Sequence, residues 1–320
     1  GTAFFRMDEP KTALVTGGAG FIGSHLVDRL LSLGHKVVVI DNLSTGKLKN
    51  LNPSATFHHL DITQPSVTEV FQREQPDLVF HLAAQVSVTQ STRDPFHDSD
   101  VNVFGTLRLL EAARKCGIEK FIYSSTGGAL YGDPETHPCT EEHPVLPVSP
   151  YGMSKYIAEL YLDLYHRLYQ INFTTLRYGN VYGPRQEAHG EAGVVAIFTQ
   201  AMLEGHQPQI FGDGNQERDF VFVDDVVDAN MLAINKGNGG SFNIGTGEKT
   251  SVNQIFESLQ SIIGYRWGPE HGPARHGDVY KISLDSSKAI RDLGWTPKME
   301  MAEGLSQTVE YFRNAGKAVR

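Results

Sequence analysis

A chain of 320 residues, 40% hydrophobic and 20% charged, has an ordinary globular composition and is long enough for one large domain or two intimate ones. Its net charge of −9 argues against nucleic acid or an anionic membrane as the main partner, so an anionic ligand must be held by backbone dipoles and individual arginines. Cys116 and Cys139 are the only cysteines and no apolar run approaches the roughly 20 residues of a membrane helix, so a soluble, cytoplasmic protein without a disulfide framework is expected.

The run Ala13-Leu14-Val15-Thr16 reads as a short buried strand. A turn with glycines at 17, 20 and 23 follows, and the apolar spacing then becomes helical over residues 22–33. Strand, glycine turn and helix in that order direct backbone N–H groups and the positive end of a helix dipole at one place, which suits the pyrophosphate of a dinucleotide. Further strands are predicted over 36–40, 56–60, 78–82, 120–124 and 173–177, with helices over 67–73, 96–115 and 151–169. Apolar strands alternating with amphipathic helices imply an α/β fold, a Rossmann-type doubly wound parallel sheet with ligands at the carboxyl ends of its strands. After Tyr178 glycine, proline and charge become frequent, and helices are predicted over 194–203, 226–235, 252–262, 287–293 and 302–312. Residues 1–178 are therefore expected to form the dinucleotide-binding domain. Residues 179–320 should be mainly a smaller α/β substrate-binding cap, with some segments returning to the first core.

Asp41 closes the second predicted strand, where a carboxylate can accept bonds from both adenosine ribose hydroxyls and repel a 2′-phosphate; this favours NAD over NADP. Asp61 and Ile62 fall after the third strand and could flank adenine, and Leu82-Ala83-Ala84 would let a cofactor lie close to the backbone. Ser149-Pro150 starts a helix that carries Tyr151 and Lys155 one turn apart on one face. An ammonium near a phenol should lower the phenol from its ordinary value of about 10, so that Tyr151 can exchange a hydroxyl proton while hydride moves. A third hydroxyl should come from the end of the fifth strand, with Thr126 the first choice and Ser125 the reserve. Metal catalysis is not expected, because His58 and His59 are adjacent on a strand and point to opposite faces.

The stretches TGGAGFIGSHLVDRLL, VIDNLSTGK, HLAAQ, VNVFGTL, SSTGGALYGD, SPYGMSK, LRYGNVYGPRQ, IFGDGNQERDFVFVDDVVDA and PARHGD span nearly the whole chain. Together they resemble the extended short-chain dehydrogenases/reductases, and within them the UDP-glucose 4-epimerase group. That resemblance implies an NAD held at Gly17, Gly20, Phe21, Ile22, Gly23, Asp41, Asn42, Ser44, Asp61, Ile62, Leu82, Ala83, Ala84, Asn102, Ser124, Lys155 and Tyr178. It implies a UDP-sugar at Ser125, Thr126, Tyr151, Asn180, Val194, Gln209, Phe211, Arg218, Arg275 and Asp278, and a homodimer formed through helices 96–115 and 151–169. The activity implied is inversion of C4 of a UDP-hexose by hydride transfer through a 4-keto sugar. Related dehydratases carry an Asp-Glu pair where this chain has Gly127 and Gly128, so elimination of water is not expected. Ile282 falls where relatives tune acceptance of N-acetylated sugars. The alternatives are a UDP-N-acetylglucosamine or UDP-glucuronate 4-epimerase, another NAD-dependent nucleotide-sugar enzyme such as a decarboxylase, or a non-catalytic NAD-binding regulator.

Overall fold

The computed structural model describes residues 9–189, 193–275 and 278–318. The first half lays down β1 (Thr12–Thr16), α1 (Phe21–Ser32), β2 (Lys36–Asp41), β3 (Thr56–His59), α2 (Val67–Glu74) and β4 (Leu78–His81). It continues through α3 (Val88–Arg93), α4 (Pro95–Ser99), a π turn (Asp100–Phe104), α5 (Gly105–Cys116), β5 (Lys120–Thr126), α6 (Gly127–Leu130), α7 (Pro150–Tyr169) and β6 (Phe173–Tyr178). The second half adds β7 (Asn180–Tyr182), α8 (Val194–Leu203), β8 (Gln209–Phe211), β9 (Glu217–Arg218), β10 (Phe220–Phe222), α9 (Val223–Ala233) and β11 (Gly240–Ile244). It ends with β12 (Thr250–Ser251), α10 (Val252–Ile263), β13 (Glu270–Gly272), α11 (Ser287–Leu293) and α12 (Met301–Lys317).

Seven strands form one parallel sheet in the order β11-β6-β5-β4-β1-β2-β3. β1 is an interior strand, Val15 level with Val39 on one side and Phe80 on the other. Its apolar run is explained by burial on both faces, since Ala13, Leu14 and Val15 are fully enclosed. One face packs Leu26, Val27 and Leu30 of α1 with Val226 and Val227 of α9, while the other packs Phe71, Leu109, Leu110, Ala158 and Leu162. A third core, with Phe198, Ile210, Ile255, Phe256 and Leu305, is built from buried residues of the second half, and Phe21 and Ile22 of α1 pack against it.

One feature differs from the sequence expectations. The single helix expected over 96–115 is interrupted. The Asp94 carboxylate caps α4 at His97 N (3.0 Å) with Pro95 in its first turn, and the π turn then inserts extra backbone before α5. The two halves interlock: β11 pairs with β6, with Phe242 level with Leu176, and thereby supplies the sheet's edge strand from beyond Tyr178.

Candidate active site

The glycine turn is shaped by contacts that no side chain could share. Gly17 has φ +72°, in the left-handed region, and a Cβ there would come within 3.0 Å of Ala83 N. A Cβ on Gly23 would lie 2.1 Å from Gly17 O, so α1 can leave β1 this closely only without one. What remains is a bare backbone cradle at the start of α1, which fits a dinucleotide pyrophosphate.

Asp41 sits beside the cradle, 7% exposed, and accepts bonds from Ala19 N (3.0 Å) and Leu43 N (2.8 Å). A carboxylate has about four lone-pair positions, so two amide contacts leave capacity for ribose hydroxyls. Asn42 donates to Asp61 (3.2 Å) and accepts from Ser44 N (3.0 Å), which gathers three expected cofactor residues at one edge. Burial raises the Asp61 carboxyl, but hydrogen bonds from Thr63 and Asn42 outweigh it and hold the group below its ordinary value. Leu82 N and Ala83 N both donate to Thr16 Oγ1 (3.0 Å each), which draws the loop after β4 against Gly17. The remaining bonds of this edge pass through buried His81, whose ring nitrogens lie 2.7 Å from Thr16 Oγ1 and 2.9 Å from Thr106 Oγ1. Phe21 meets His25 edge-on, and Ile22 packs where the first and third cores meet.

Three expected cofactor side chains point elsewhere. Ile62 is packed into the core over Gly105, whose Cβ would stand 2.6 Å from its Cδ1. Asn102 is buried by the π turn, and its amide is occupied by Gln85, Asp98 and Ser154. The Tyr178 hydroxyl lies between Ser124 Oγ (2.6 Å) and Asn230 Nδ2 (2.9 Å), inside the core.

Ser149 caps α7 by accepting from Gly152 N (3.1 Å), with Pro150 at its first position, so Tyr151 and Lys155 emerge one turn apart. The Lys155 Nζ donates to Ser124 O at 2.7 Å and stands 4.8 Å from the Tyr123 ring centre. Burial pulls this amine down to about 8, against the attraction of Glu159 and Asp98. Burial pushes the Tyr151 phenol up to about 12; a hydrogen bond from Thr126 works against the rise and the Asp98 charge adds to it. The expectation that Lys155 lowers the phenol is thus corrected: the ammonium is engaged at Ser124 O, and the group favouring phenolate is the Thr126 hydroxyl.

Ser125 is also corrected as a substrate contact. Its hydroxyl donates to Glu159 (2.6 Å), and Glu159 forms a buried, forked ion pair with Arg177 (2.7 Å). Arg177 donates to the Tyr131 hydroxyl (2.9 Å), which donates to Asn243 Oδ1 (2.6 Å) on β11. Thr126, by contrast, caps α6 at Ala129 N (3.2 Å) and keeps its hydroxyl on Tyr151.

In the second half, Arg218 donates to Glu217 O (3.0 Å) and Tyr280 O (3.2 Å). Burial pulls its guanidinium down, while the charges of Asp278 and Asp133 work against that fall. The Arg275 guanidinium lies 3.8 Å over the Phe211 ring. Gln209 shares β8 with Phe211, and a Cβ on Gly272 would crowd its amide at 2.7 Å. Asn180 donates its backbone N–H to Asp219 O (2.7 Å), with its side chain beside Gly128, while Val194 packs on the third core. The two halves of the site meet where Tyr280 N donates to Asp133 (2.7 Å) in the connection after α6. Ile282 is 1% exposed in a cluster with Tyr131, Cys139, Val279 and Leu284, inside the packing that backs this connection.

Sequence reasoning missed Gln85, Asp98, Asp133, Ser154, Glu159 and Tyr280. Glu159 stands one turn beyond Lys155 on the same face, a spacing that carries a signal. Asp133 and Tyr280 meet across a separation of 147 residues and carry none. Among the described residues no group of three or more His, Cys, Asp or Glu could hold a metal ion, and no helix is long and apolar enough to cross a membrane.

Residues 13–245 match the model of the NAD dependent epimerase/dehydratase family. A UDP-glucose 4-epimerase of Mycolicibacterium smegmatis is 48% identical over 307 residues, which cover 94% of this chain and 98% of the relative. Among solved structures, UDP-glucose 4-epimerase of Thermotoga maritima with UDP-glucose aligns with a TM-score of 0.94 and 53% identity, over 95% of this chain and 99% of that one. The Thermus thermophilus UDP-glucose 4-epimerase complex with NAD aligns with a TM-score of 0.91 and 43% identity, again over 95% and 99%. With its cradle, acidic edge and hydroxyl pair on a seven-stranded parallel sheet, the chain belongs to the NAD dependent epimerase/dehydratase family.

Proposed function

We propose that the protein is an NAD-dependent isomerase that interconverts UDP-glucose and UDP-galactose by inverting C4. The observation that carries this reading is the Tyr151–Thr126 hydroxyl pair beside Lys155, at the carboxyl end of β5. NAD held in the cradle would supply a reversible hydride acceptor for C4 of the sugar. Gly17, Gly20 and Gly23 form the cradle for its pyrophosphate, and Asp41 takes the adenosine ribose hydroxyls and disfavours a 2′-phosphate.

The remaining work falls to side chains. Tyr151, as phenolate, removes the proton from O4 and gives it back in the reverse half-reaction, while the Thr126 hydroxyl donates to the phenolate oxygen. Lys155, fixed on Ser124 O, reaches the nicotinamide ribose. Arg218 and Arg275 hold the UDP diphosphate by forked bonds, Asp278 the uridine ribose, and Phe211 offers a ring face; Asn180, Val194 and Gln209 complete the wall. Holding the nucleotide by its remote end lets the 4-keto sugar turn over without escaping.

Gly127 has no room for the acid that a dehydratase places there, because its Cβ would meet Leu284 at 2.5 Å. The reading includes work in the cytoplasm, supported by the free thiols of Cys116 and Cys139. It also includes a homodimer through the π turn and α7, supported by the outward apolar side chains Phe104, Met153, Leu160 and Leu168. Incubation with a panel of UDP-sugars, with C4 epimers resolved by chromatography, tests the reaction. UDP-glucose and UDP-galactose should interconvert, and Tyr151→Phe should lose at least about a thousandfold in rate while retaining NAD. Retained conversion in Tyr151→Phe would overturn the mechanism, and a monomeric mass by light scattering would remove the dimer.

A further inference from the structure

Asp98 is fully buried on α4, and no step above uses it. Its Oδ2 accepts bonds from Gln85 Nε2 (2.8 Å) and Asn102 Nδ2 (3.2 Å), whereas Oδ1 has no hydrogen-bond partner among the described residues. Enclosing a carboxylate so incompletely satisfied is unfavourable, and an apolar residue of similar volume would pack better.

The bonds around it account for its presence. Asn102 stands on the π turn, where the inserted residue rotates its side chain inward. Its Oδ1 accepts from Gln85 N (2.9 Å), and its Nδ2 is shared among Gln85 O (3.0 Å), Asp98 and Ser154 Oγ (3.1 Å). Ser154 in turn donates to Tyr151 O (3.1 Å). An unbroken polar chain therefore runs from the loop after β4, which edges the dinucleotide cradle, to the turn of α7 that carries Tyr151 and Lys155.

We propose that Asp98 is a positioning residue for the hydride-transfer reaction: it clamps Gln85 and Asn102 so that Tyr151 and Lys155 keep one fixed relation to the loop after β4, and its charge biases that pair. The inference rests on the proposed role of Tyr151. The groups acting on the pair are Asp98 from α4, Glu159 from α7 itself, Thr126 and Tyr123 from β5, and His81 from β4. Burial holds His81 neutral and Thr126 carries no charge, so Asp98 and Glu159 are the anions. Glu159 is neutralised by its ion pair with Arg177, and Asp98 is the anion that acts on Tyr151.

Asp98→Asn isolates the charge. The amide oxygen can keep both accepted bonds, and the NH₂ group takes the place of an oxygen that had no donor to lose. The acid limb of the kcat/KM–pH profile should move down by about half a pH unit, because phenolate at Tyr151 is no longer opposed. Asp98→Ala also removes the clamp and should lower kcat about tenfold with little change in KM, and the Asn variant should restore most of that loss. A profile for Asp98→Asn that superimposes on wild type, or a wild-type kcat in Asp98→Ala, would overturn the proposal. Should Asp98→Asn fail to fold, Ser154→Ala cuts the same chain on α7: a lowered kcat at unchanged KM supports the role, and a wild-type kcat overturns it. Inactivity of the wild-type protein on every UDP-sugar would instead remove the reading of Tyr151, so the two failures are distinguishable.

Discussion

At the end of β1 the proposed pyrophosphate site is made of backbone: three glycines, one in a left-handed turn, bring amides and a helix start together where no side chain fits. The proposed nucleotide-sugar site in the second half uses side chains instead, with Arg218 on a short strand under the influence of Asp278 and Asp133, and Arg275 in a loop over Phe211. The first arrangement is rigid and intolerant of any added atom. The second can be retuned one residue at a time, which suits the part of a site that must distinguish one nucleotide-linked sugar from another.

The largest test of this contrast is Gly23→Ala. Its methyl group would collide with Gly17 O, so the variant should lose at least about 3 kcal/mol of stability and purify without NAD, as read by denaturant unfolding and by cofactor released on precipitation. A folded, NAD-loaded Gly23→Ala protein would break the contrast. Arg218→Ala should leave the fold and NAD content intact while raising KM for the UDP-sugar about a hundredfold, measured by steady-state kinetics; an unchanged KM would remove Arg218 from the diphosphate site.

A smaller effect separates the halves by pH. Burial pulls His81 down to about 3, and in the unfolded chain it returns to about 6.5, so the folded state forgoes a proton that the unfolded state binds below that value. Stability from His81 is complete above pH 6.5 and is lost as pH falls toward 3, amounting to about 2 kcal/mol at pH 5. His81→Gln should flatten that part of the fall in unfolding midpoint between pH 7 and pH 5, and parallel curves for the two proteins would assign the acid sensitivity elsewhere. The smallest expected effect is that of Asp41→Ala, which should narrow the preference for NAD over NADP about tenfold in a binding titration. An unchanged ratio would take Asp41 out of the ribose role.

The fold was legible because its signals are local. The apolar runs of β1, β2, β4 and β5, the glycine turn and the Ser149-Pro150 start of α7 each specify their own conformation within a few residues. The site was less so, in proportion to how far apart its parts lie. Tyr151 and Lys155 share one helical turn, but the orientation of Ser125 toward Glu159 depends on a salt bridge to β6, and that of Asn102 on a π turn that no periodicity betrays. The small strand pairs β7 with β10, β8 with β13 and β9 with β12 were invisible for the same reason: two or three residues carry no period, and their partners are remote in the chain.

β11 bears on how such enzymes can be recombined. An exchange of everything after Tyr178 between two relatives would carry off the sheet's edge strand together with the proposed sugar site. A fragment ending there would leave the β6 edge bare, a template for aggregation. Substrate preference should therefore be transplanted as separate patches, residues 180–239 and the chain beyond Ile244, with Gly240–Ile244 left to the scaffold it completes. Evolution of a new sugar specificity on this frame faces the same restriction: it can edit the cap piecemeal, but it cannot shuffle it as a module.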